Sequence, residues 1–128
     1  MRFIFTVINL IIFNTYTSES LVHGPLIWSD EFDYTGPPDP SKWSYWNNPP
    51  GIKVSNVFTN NNAHADGKHL IMTLKRESLE GKNYTGINIV TKRGFRYGYY
   101  EMRAKIARVS GTWSNFWFLG DIRKLYTF

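Results

Sequence analysis

The residues best suited to chemistry lie near position 100, where charged side chains recur at every second position. Alternate residues of a β-strand project from one face, so Glu101, Arg103 and Lys105 would share a face with Tyr99. The intervening residues predict a core-facing side: Tyr100, Met102, Ala104 and Ile106. On this pattern the charged face is either a ladder of side chains in solvent or the polar floor of a binding cleft.

A second stretch carries two tryptophans four positions apart. Trp113, Asn115 and Trp117 would share one strand face with Leu119. Two flat rings with an amide between them suit a carbohydrate, because rings pack on the apolar face of a sugar and an amide binds its hydroxyls. Aromatic residues make up 17% of the sequence, enough for such a platform or for a core that uses tryptophan. The pattern leaves both interpretations open.

Paired carboxylates, which general acid and base chemistry needs, do not occur at a usable spacing. Asp30 and Glu31 are adjacent and would project from opposite faces of a strand. Glu77 and Glu80 fall at a strand end and a turn. We therefore assign no catalytic residue.

No metal site and no disulfide are expected from the metal-binding and sulfur-containing side chains. The three histidines, His23, His64 and His69, stand at no ligand spacing with neighbouring carboxylates. The sequence contains no cysteine. If the protein is secreted, its fold must therefore rest on its core alone.

Residues 1–18 have the pattern of a secretory signal peptide. Arg2 supplies a positive start, residues 3–13 form an apolar run, and small polar residues follow as far as Ser20. The run is shorter than the roughly 20 apolar residues of a spanning helix. A membrane anchor or a buried amino-terminal strand are the alternatives. We expect cleavage near Ser18 or Ser20, a short linker at 19–25, a secreted product, and no membrane association after the signal is removed.

The basic residues are spread along the sequence rather than gathered in one block. The formal net charge is +5, or +4 once Arg2 leaves with the signal. The densest basic stretch interleaves Lys92, Arg93 and Arg96 with aromatic residues, as a nucleic-acid patch would. Export and strand alternation favour a solvated strand face, so we expect no nucleic-acid partner.

One N-glycosylation sequon is present. Asn83-Tyr84-Thr85 follows the turn residues Glu80 to Lys82. An exposed loop is expected there, which makes Asn83 a candidate glycosylation site.

Turn signals at short intervals predict an all-β protein with one domain. Clusters of glycine, proline, asparagine and aspartate end each apolar run, and no helical period of useful length lies between them. The predicted strands are 26–32, 54–59, 69–75, 87–92, 97–107 and 113–119. This pattern points to a sandwich or a barrel.

Several motifs, in order and at matching spacings, resemble the amino-terminal half of a family-16 glycoside hydrolase. The matching pieces are Leu26 to Asp33 with Asp39 to Trp43, Asp66 to Leu70, Tyr84 to Thr91, Tyr97 to Lys105, and Gly111 to Trp117. This group includes laminarinases, lichenases and agarases. The resemblance implies a jelly-roll, concanavalin A-like β-sandwich, incomplete in this chain, over residues 26–120. Residues 121–128 would be an atypical tail.

The resemblance also implies a sugar cleft. By their motif positions Glu101 and Arg103 would line it, and Trp113 and Trp117 would flank it together with Asn115. The expected partner is a polysaccharide, a β-glucan or a related polymer, bound by a monomer without a cofactor. Asp30 with Glu31 could hold a structural calcium, as in some family members. Trp28, Phe32 and Trp43 are expected to pack.

Departures from the family pattern concern substrate and catalysis. Trp113 to Trp117 reads Trp-Ser-Asn-Phe-Trp where many laminarinases have Trp-Pro-Ala-Phe-Trp, and Asn88 stands where an arginine is common. A β-1,3-glucan is the default substrate and an algal galactan an alternative. The family's catalytic strand reads Glu-x-Asp-x-Glu or Glu-x-Asp-x-x-Glu, which holds two carboxyls about 5 to 5.5 Å apart for retaining hydrolysis. The 128 residues contain no such motif.

Three hypotheses follow. The sequence belongs to a truncated secreted endo-β-1,3-glucanase and is inactive alone, or it is a non-catalytic β-glucan recognition protein, or it is a degenerate fragment without function. A fold does not fix a function, so each is weighed on the site residues.

Overall fold

The computed structural model describes residues 2–13, 24–47 and 53–118. The predicted cleavage point near Ser18 or Ser20 and most of the linker lie outside these residues. So do Leu119 and the tail at 121–128.

Strands make up nearly all of the described secondary structure, and the all-β prediction is confirmed. They are β1 Arg2–Phe13, β2 Leu26–Asp30, β3 Thr35–Gly36, β4 Trp43–Tyr45, β5 Val57–Phe58, β6 Ala63–Asp66, β7 Leu70–Lys75, β8 Thr85–Gly86, β9 Ile89–Thr91 and β10 Tyr99–Lys105. A 3₁₀ turn at Asn60–Asn62 is the only helical element among the described residues. Short strands separated by turns are the pattern expected of a sandwich of the jelly-roll type.

Two sheets contain these strands. In the larger, eight-stranded sheet the order is β10-β1-β7-β6-β3, with β2 paired to β1, β8 to β7, and β5 to β8. The smaller sheet pairs β4 with β9 in antiparallel register, Trp43 opposite Thr91. The ladders are antiparallel except for the parallel β5–β8 pair.

The residues with the signal-peptide pattern form β1, a strand inside the larger sheet. One edge of β1 pairs with β10, and its other edge pairs first with β7 and then with β2. Its sequence is rich in isoleucine and phenylalanine, residue types that favour strands as strongly as they suit a signal peptide. Residues 2–13 therefore suit both a β-strand and a signal peptide. Their removal as a leader stays a prediction.

Several predicted strands match the structure and others do not. The prediction of 69–75 corresponds to β7, and that of 97–107 corresponds to β10 with shorter ends. Residues 113–118 form no strand, contrary to the prediction. β4 was not predicted because its three residues are too few to show a period of two.

The core is centred on a few fully enclosed side chains between the sheets. Phe32, Ala63, Ala65 and Leu70 are buried, and tyrosine, tryptophan and isoleucine side chains pack around them. In β6 the buried Ala63 and Ala65 alternate with exposed residues, as one face of a strand requires. Phe32 adopts a φ of 53°, which turns its ring into the core directly after β2.

A buried carboxylate organises the packing next to Phe32. Asp30 is 1% exposed, and its Oδ2 accepts hydrogen bonds from Trp43 Nε1 at 2.6 Å and from the Tyr34 hydroxyl at 3.2 Å. Its Oδ1 accepts from the Phe32 amide and from Lys42 Nζ at 3.4 Å. We refer to Asp30, Tyr34, Lys42 and Trp43 as the Asp30 network. A buried charge needs partners of this kind, because unpaired it would be costly.

The Asp30 network has two consequences for the earlier predictions. Trp43 stacks on Phe32 with ring centroids 6.0 Å apart, and Trp28 meets Trp43 edge to face at 5.4 Å, so the packing role of these three rings is confirmed. The oxygens of Asp30 face hydrogen-bond donors and Glu31 is exposed, an arrangement that does not fit a calcium site. The pKa of Tyr34 is raised to about 12, mainly by burial and in part by the nearby Asp30 carboxylate.

Candidate functional site

Strand β10 carries the two charged residues singled out in the sequence. Glu101 and Arg103 are both exposed; their backbones pair with β1, and neither side chain makes a hydrogen bond or an ion pair with another described residue. Their side chains alternate with Tyr100 and Met102, which are half-buried. The carboxylate and the guanidinium are thus available to hydrogen-bond a polar ligand.

The predicted core face of β10 is only partly a core face. Tyr100 and Met102 pack as expected, whereas Ala104 is exposed and Ile106 is 54% exposed. Ala104 lies in the strand near its end, and Ile106 lies just beyond it. Alternation predicted which side of β10 these four residues lie on. Ala104, near the end of the strand, and Ile106, just beyond it, are nevertheless exposed to solvent.

The segment after β10 reverses direction in a turn and then runs without sheet hydrogen bonds. Thr112 closes the turn, since its amide and its Oγ1 both donate to the Val109 carbonyl, at 3.2 and 2.7 Å. Gly111 has a φ of +83°, a conformation that favours glycine. Residues 112–118 are coil; Thr112 and Ser114 are half-buried, and the other residues are exposed.

One side of this coil segment packs on β10. Phe118 meets Tyr100 edge to face at 4.6 Å, and Phe116 meets Phe118 at 5.0 Å. Tyr100 in turn contacts Phe95 at 6.4 Å. These contacts hold the segment in place by ring packing instead of a strand ladder.

The other side of the segment presents Trp117, which stacks on a residue that sequence reasoning missed. The rings of Trp46 and Trp117 are nearly parallel, 13° apart, with centroids 5.8 Å apart. Trp117 remains 40% exposed. Trp46 follows β4 and is fixed by its amide, which donates to the Asn88 carbonyl at 2.9 Å. We call this pair the Trp46–Trp117 stack.

The remaining predicted site residues lie in solvent on the same segment. Trp113 is 70% exposed and Asn115 is exposed. Within the described part of the chain, the structure records no hydrogen bond, ion pair or ring contact that joins Glu101 or Arg103 to these tryptophans. The structure thus assembles the stack directly and leaves the two charged residues as a separate exposed pair on β10.

An open cavity of about 450 Å³ is lined by Tyr45 and Asn47, the residues before and after Trp46. Its walls include Trp43, Tyr45, Asn47 and Asn60. Asn47 Nδ2 donates to Asn60 Oδ1 at 2.8 Å, while Asn47 Oδ1 is buried and finds no donor among the described residues. The cavity thus has both ring and amide side chains in its walls, a mixture found in small-molecule sites.

The sequon lies on an exposed loop. Asn83 is exposed, as predicted from the turn signals. Thr85, the third residue of the sequon, is fully buried, where its Oγ1 donates to Glu77 and accepts from Asn62 Nδ2 at 2.9 Å. Glycosylation of Asn83 stays a prediction.

Neither a metal cluster nor a membrane-spanning helix is present among the described residues. No group of three or more histidine, aspartate or glutamate side chains is placed to hold a metal ion. No described helix is long and apolar enough to cross a membrane.

Fold and site together define an all-β protein with a solvent-facing tryptophan stack and unpaired polar side chains on one strand. The comparison of the sequence with known families is more specific. Residues 52–124, more than half of the chain, match the family described as glycosyl hydrolases family 16. The chain belongs to this family, and the resemblance inferred from its motifs is confirmed.

Three curated relatives align with most of the chain. A "Beta-glucanase" of Rhodothermus marinus is 38% identical over 112 residues, covering 81% of this chain and 39% of the relative. A "Clotting factor G alpha subunit" of Tachypleus tridentatus is 32% identical, covering 75% and 15%. A "Keratan-sulfate endo-1,4-beta-galactosidase" of Sphingobacterium multivorum is 32% identical, covering 79% and 25%. No solved structure matches at a significant level.

The chain spans well under half the length of each of these relatives. All three alignments nevertheless include at least three quarters of its own residues. The likeness is therefore to one part of each relative. The family match at residues 52–124 includes Glu101, Arg103 and Trp117 of the candidate site.

Sequence reasoning missed Trp46, Asn47 and the cavity beside them. The only local signal was the run of aromatic residues from Trp43 to Trp46. Trp43 and Trp46 are three positions apart, so in an extended chain they would lie on opposite faces, one directed toward the core and the other away from it.

Proposed function

We propose that this chain contributes the sugar-binding part of a secreted family-16 glycosidase that acts on a β-glucan. The observation that carries the proposal is the 38% identity to a β-glucanase over 81% of the chain. The exposed Glu101, Arg103 and Trp117 lie inside the family match at residues 52–124. In this proposal residues 1–18 direct export and are removed. Asn83 is glycosylated where the host modifies such sites, and the mature chain is a monomer.

The exposed rings suit a pyranose in shape and chemistry. A sugar ring has an apolar face of C–H groups that packs on tryptophan, and Trp117 offers one ring edge and face still open to solvent. The more exposed Trp113, four residues away, could extend the contact along a chain of sugars. Asn115 lies between them and supplies an amide for hydroxyl groups.

Glu101 and Arg103 suit the polar edge of the same ligand. Both project into solvent, and neither has a partner among the described residues that a sugar would have to displace. Hydrogen bonds that involve a charged group contribute about 1.5 to 3 kcal/mol when they form without such competition. Their proposed role is to bind sugar hydroxyls.

Hydrolysis requires residues beyond those that the 128-residue sequence provides. Retaining hydrolysis uses two carboxyls about 5 to 5.5 Å apart, one as nucleophile and one as acid and base. The sequence has no Glu-x-Asp-x-Glu or Glu-x-Asp-x-x-Glu motif that would place them. The 128-residue polypeptide by itself is therefore proposed to bind polysaccharide without cleaving it.

A non-catalytic recognition protein is the second candidate. It is favoured by the same two observations, exposed ligand-facing side chains and the lack of a paired-carboxylate motif in the sequence. The two candidates differ in whether a longer product of the gene carries the catalytic strand. Reading the nucleotide sequence past codon 128 in all frames distinguishes them.

A binding panel tests the shared part of the proposal. The purified 128-residue protein is mixed with insoluble β-1,3-glucan, cellulose and agarose, and the unbound fraction is measured alongside release of reducing ends. We expect depletion by β-1,3-glucan above the other two, and no reducing ends. Preferential depletion by agarose would move the substrate class to galactans, as the galactosidase relative allows. Equal depletion by all three would contradict the proposal.

A further inference from the structure

The net charge of the chain lies in one short stretch. Residues 92–108, which we call the basic segment, hold six of the fifteen lysines and arginines and one of the ten aspartates and glutamates. The other nine basic and nine acidic residues balance each other, so the basic segment accounts for the whole formal charge of +5. Such a local excess creates a positive potential, which attracts anions and weakens as salt is added.

The basic side chains of this segment are exposed and form no ion pairs. All six lie in solvent: Lys92, Arg93, Arg96, Arg103, Lys105 and Arg108. Within the described ranges, none of them is ion-paired with a carboxylate. One acidic residue does lie near Lys92, since the pKa of Asp39 is lowered first by hydrogen bonds from Ser41 and to a lesser degree by the charge of Lys92. The surplus of positive charge is left for a ligand.

Neutral rings order two of the arginines at the start of the basic segment. The guanidinium of Arg93 lies over the Phe95 ring, 5.2 Å from its centroid. That of Arg96 lies over Tyr97 at 5.4 Å. A ring restricts the side chain without neutralising its charge, so less side-chain entropy is lost when an anion binds.

The rest of the basic segment follows a border of the larger sheet. β10 is the outermost strand in the order β10-β1-β7-β6-β3, so among the described strands it is paired along one edge alone. Its neighbour β1 contains no acidic residue. The seven residues of β10 extend over roughly 20 Å. Exposed charges spread over this length suit an extended polymer better than a single small anion.

We propose that the basic segment binds an extended polysaccharide that carries acidic groups, either carboxylates or sulfates. Guanidinium and ammonium groups donate charge-assisted hydrogen bonds to oxyanions of both kinds, and the exposed Tyr97 ring can pack on the face of a sugar. A polysaccharide is favoured over a nucleic acid because the chain belongs to a family of glycosyl hydrolases. That choice rests on the function proposed above, whereas the positive charge of the segment does not depend on it.

Matched polymers test the requirement for charge. The purified 128-residue protein is titrated with fluorescently labelled dextran sulfate, polygalacturonate and dextran at about 50 and 200 mM salt, and binding is followed by fluorescence anisotropy. Dextran and dextran sulfate share a backbone and differ in charge. We expect saturable binding of an acidic polymer, none of dextran, and an affinity at least about tenfold lower at the higher salt, because binding releases counterions. Binding of dextran sulfate alone assigns the acidic group as sulfate, and binding of polygalacturonate alone assigns it as carboxylate.

Two double variants of equal net charge test the location. Arg96→Gln with Arg108→Gln removes two charges from the basic segment, and Lys68→Gln with Arg76→Gln removes two exposed charges from elsewhere. None of the four side chains makes a hydrogen bond or an ion pair within the described residues, so both double variants should fold, which thermal unfolding checks. We expect the first to bind the acidic polymer about fivefold more weakly and the second to bind as the unmodified chain does. Arg103 is left unchanged because it belongs to the proposed glucan site.

Three results would overturn the proposal. The first is binding of dextran as tight as that of the acidic polymers. The second is equal weakening by the two double variants, which would make the total charge the cause instead of the basic segment. The third is tighter binding of a single-stranded oligonucleotide than of either acidic polysaccharide, which would make a nucleic acid the partner. None of these readouts uses a β-1,3-glucan, so their failure is distinguishable from failure of the proposed function.

Discussion

Two regions of this protein use the same side-chain types in opposite ways. In the Asp30 network, a tryptophan and a lysine hydrogen-bond a carboxylate that is 1% exposed, and the tryptophan ring stacks on Phe32. At the Trp46–Trp117 stack and on β10, tryptophan, glutamate and arginine face solvent. Trp43 and Trp46 belong one to each region although they are three residues apart.

The stability of the fold and the binding of a ligand should therefore depend on different residues. Groups that satisfy each other in the interior contribute to folding and have little capacity left for a ligand. Exposed polar groups without a protein partner have that capacity, and their removal costs little folding free energy. A substitution in one region should therefore leave the property of the other nearly unchanged.

Asp30→Ala should have the largest effect, on stability. It leaves the Trp43 indole N–H and the Tyr34 hydroxyl without their buried acceptor and Lys42 without its charge partner. Losing a buried charged acceptor lowers the free energy of unfolding by about 3 kcal/mol. Urea denaturation followed by tryptophan fluorescence measures it. Asp30→Asn, which keeps the shape and one acceptor oxygen, is the control and should lose less; equal losses would show that the retained shape and oxygen contribute nothing and that the stabilisation comes from the carboxylate charge alone.

Trp117→Ala should weaken glucan binding while leaving stability almost intact. The ring stacks on Trp46 but is 40% exposed, so its removal takes away a ligand surface more than a core contact. Ring stacking contributes about 0.5 to 1.5 kcal/mol, which corresponds to affinity up to roughly tenfold weaker. Depletion isotherms on insoluble β-1,3-glucan give the value. Tyr97→Ala removes an aromatic ring that is 75% exposed and makes no ring contact with the described Trp46 or Trp117, and it should bind as the unmodified chain does.

Gly86→Ala should lower stability by about 1 kcal/mol without affecting binding, since overpacking forces neighbours to shift. A Cβ at Gly86 would lie 2.9 Å from Asn56 Nδ2 in the packed interior. Asn56 would have to turn away for the methyl group to fit. Gly94→Ala is the matched control, because a Cβ there meets no atom within 4 Å. Equal melting temperatures for the two variants would contradict the packing around Gly86.

Tyr34→Phe should have the smallest effect, a change in how stability depends on alkaline pH. Burial raises the pKa of Tyr34 to about 12 in the folded chain, above its ordinary value of about 10. A raised pKa contributes stability that is fully present below about pH 10 and is lost as the pH rises toward 12. Unfolding measured at several pH values between 8 and 11 should fall less steeply for the variant. Parallel curves would show that Tyr34 titrates normally.

The sequence predicted best what depends on neighbours along the chain. β10 was found because its own residues alternate, and β7 because turn residues bound its apolar run. The predicted packing of Trp28 and Phe32 was also confirmed. β4 could not be found in this way, because its three residues become a strand through pairing with β9.

The sequence identified most residues of the candidate site but not how they are arranged in the folded chain. Trp117 was identified, but its partner Trp46 comes from a distant part of the sequence, and only the folded chain brings the two rings together. The prediction of a strand at 113–119 was wrong because ring packing on Tyr100, instead of a ladder, positions that segment. Asp30 looked like a surface calcium ligand until tertiary contacts with Trp43 and Lys42 enclosed it.

A titration with a soluble β-1,3-gluco-oligosaccharide, followed by tryptophan fluorescence, tests most directly whether the exposed stack is the sugar-binding surface. We expect a saturable change in fluorescence for the unmodified chain. Trp117→Ala should weaken the affinity for the oligosaccharide by up to about tenfold, and Tyr97→Ala should leave it unchanged. Asp30→Asn should keep the same affinity while it remains folded. No saturable change, or one that Trp117→Ala leaves unaltered, would contradict the assignment of the stack as the sugar-binding surface.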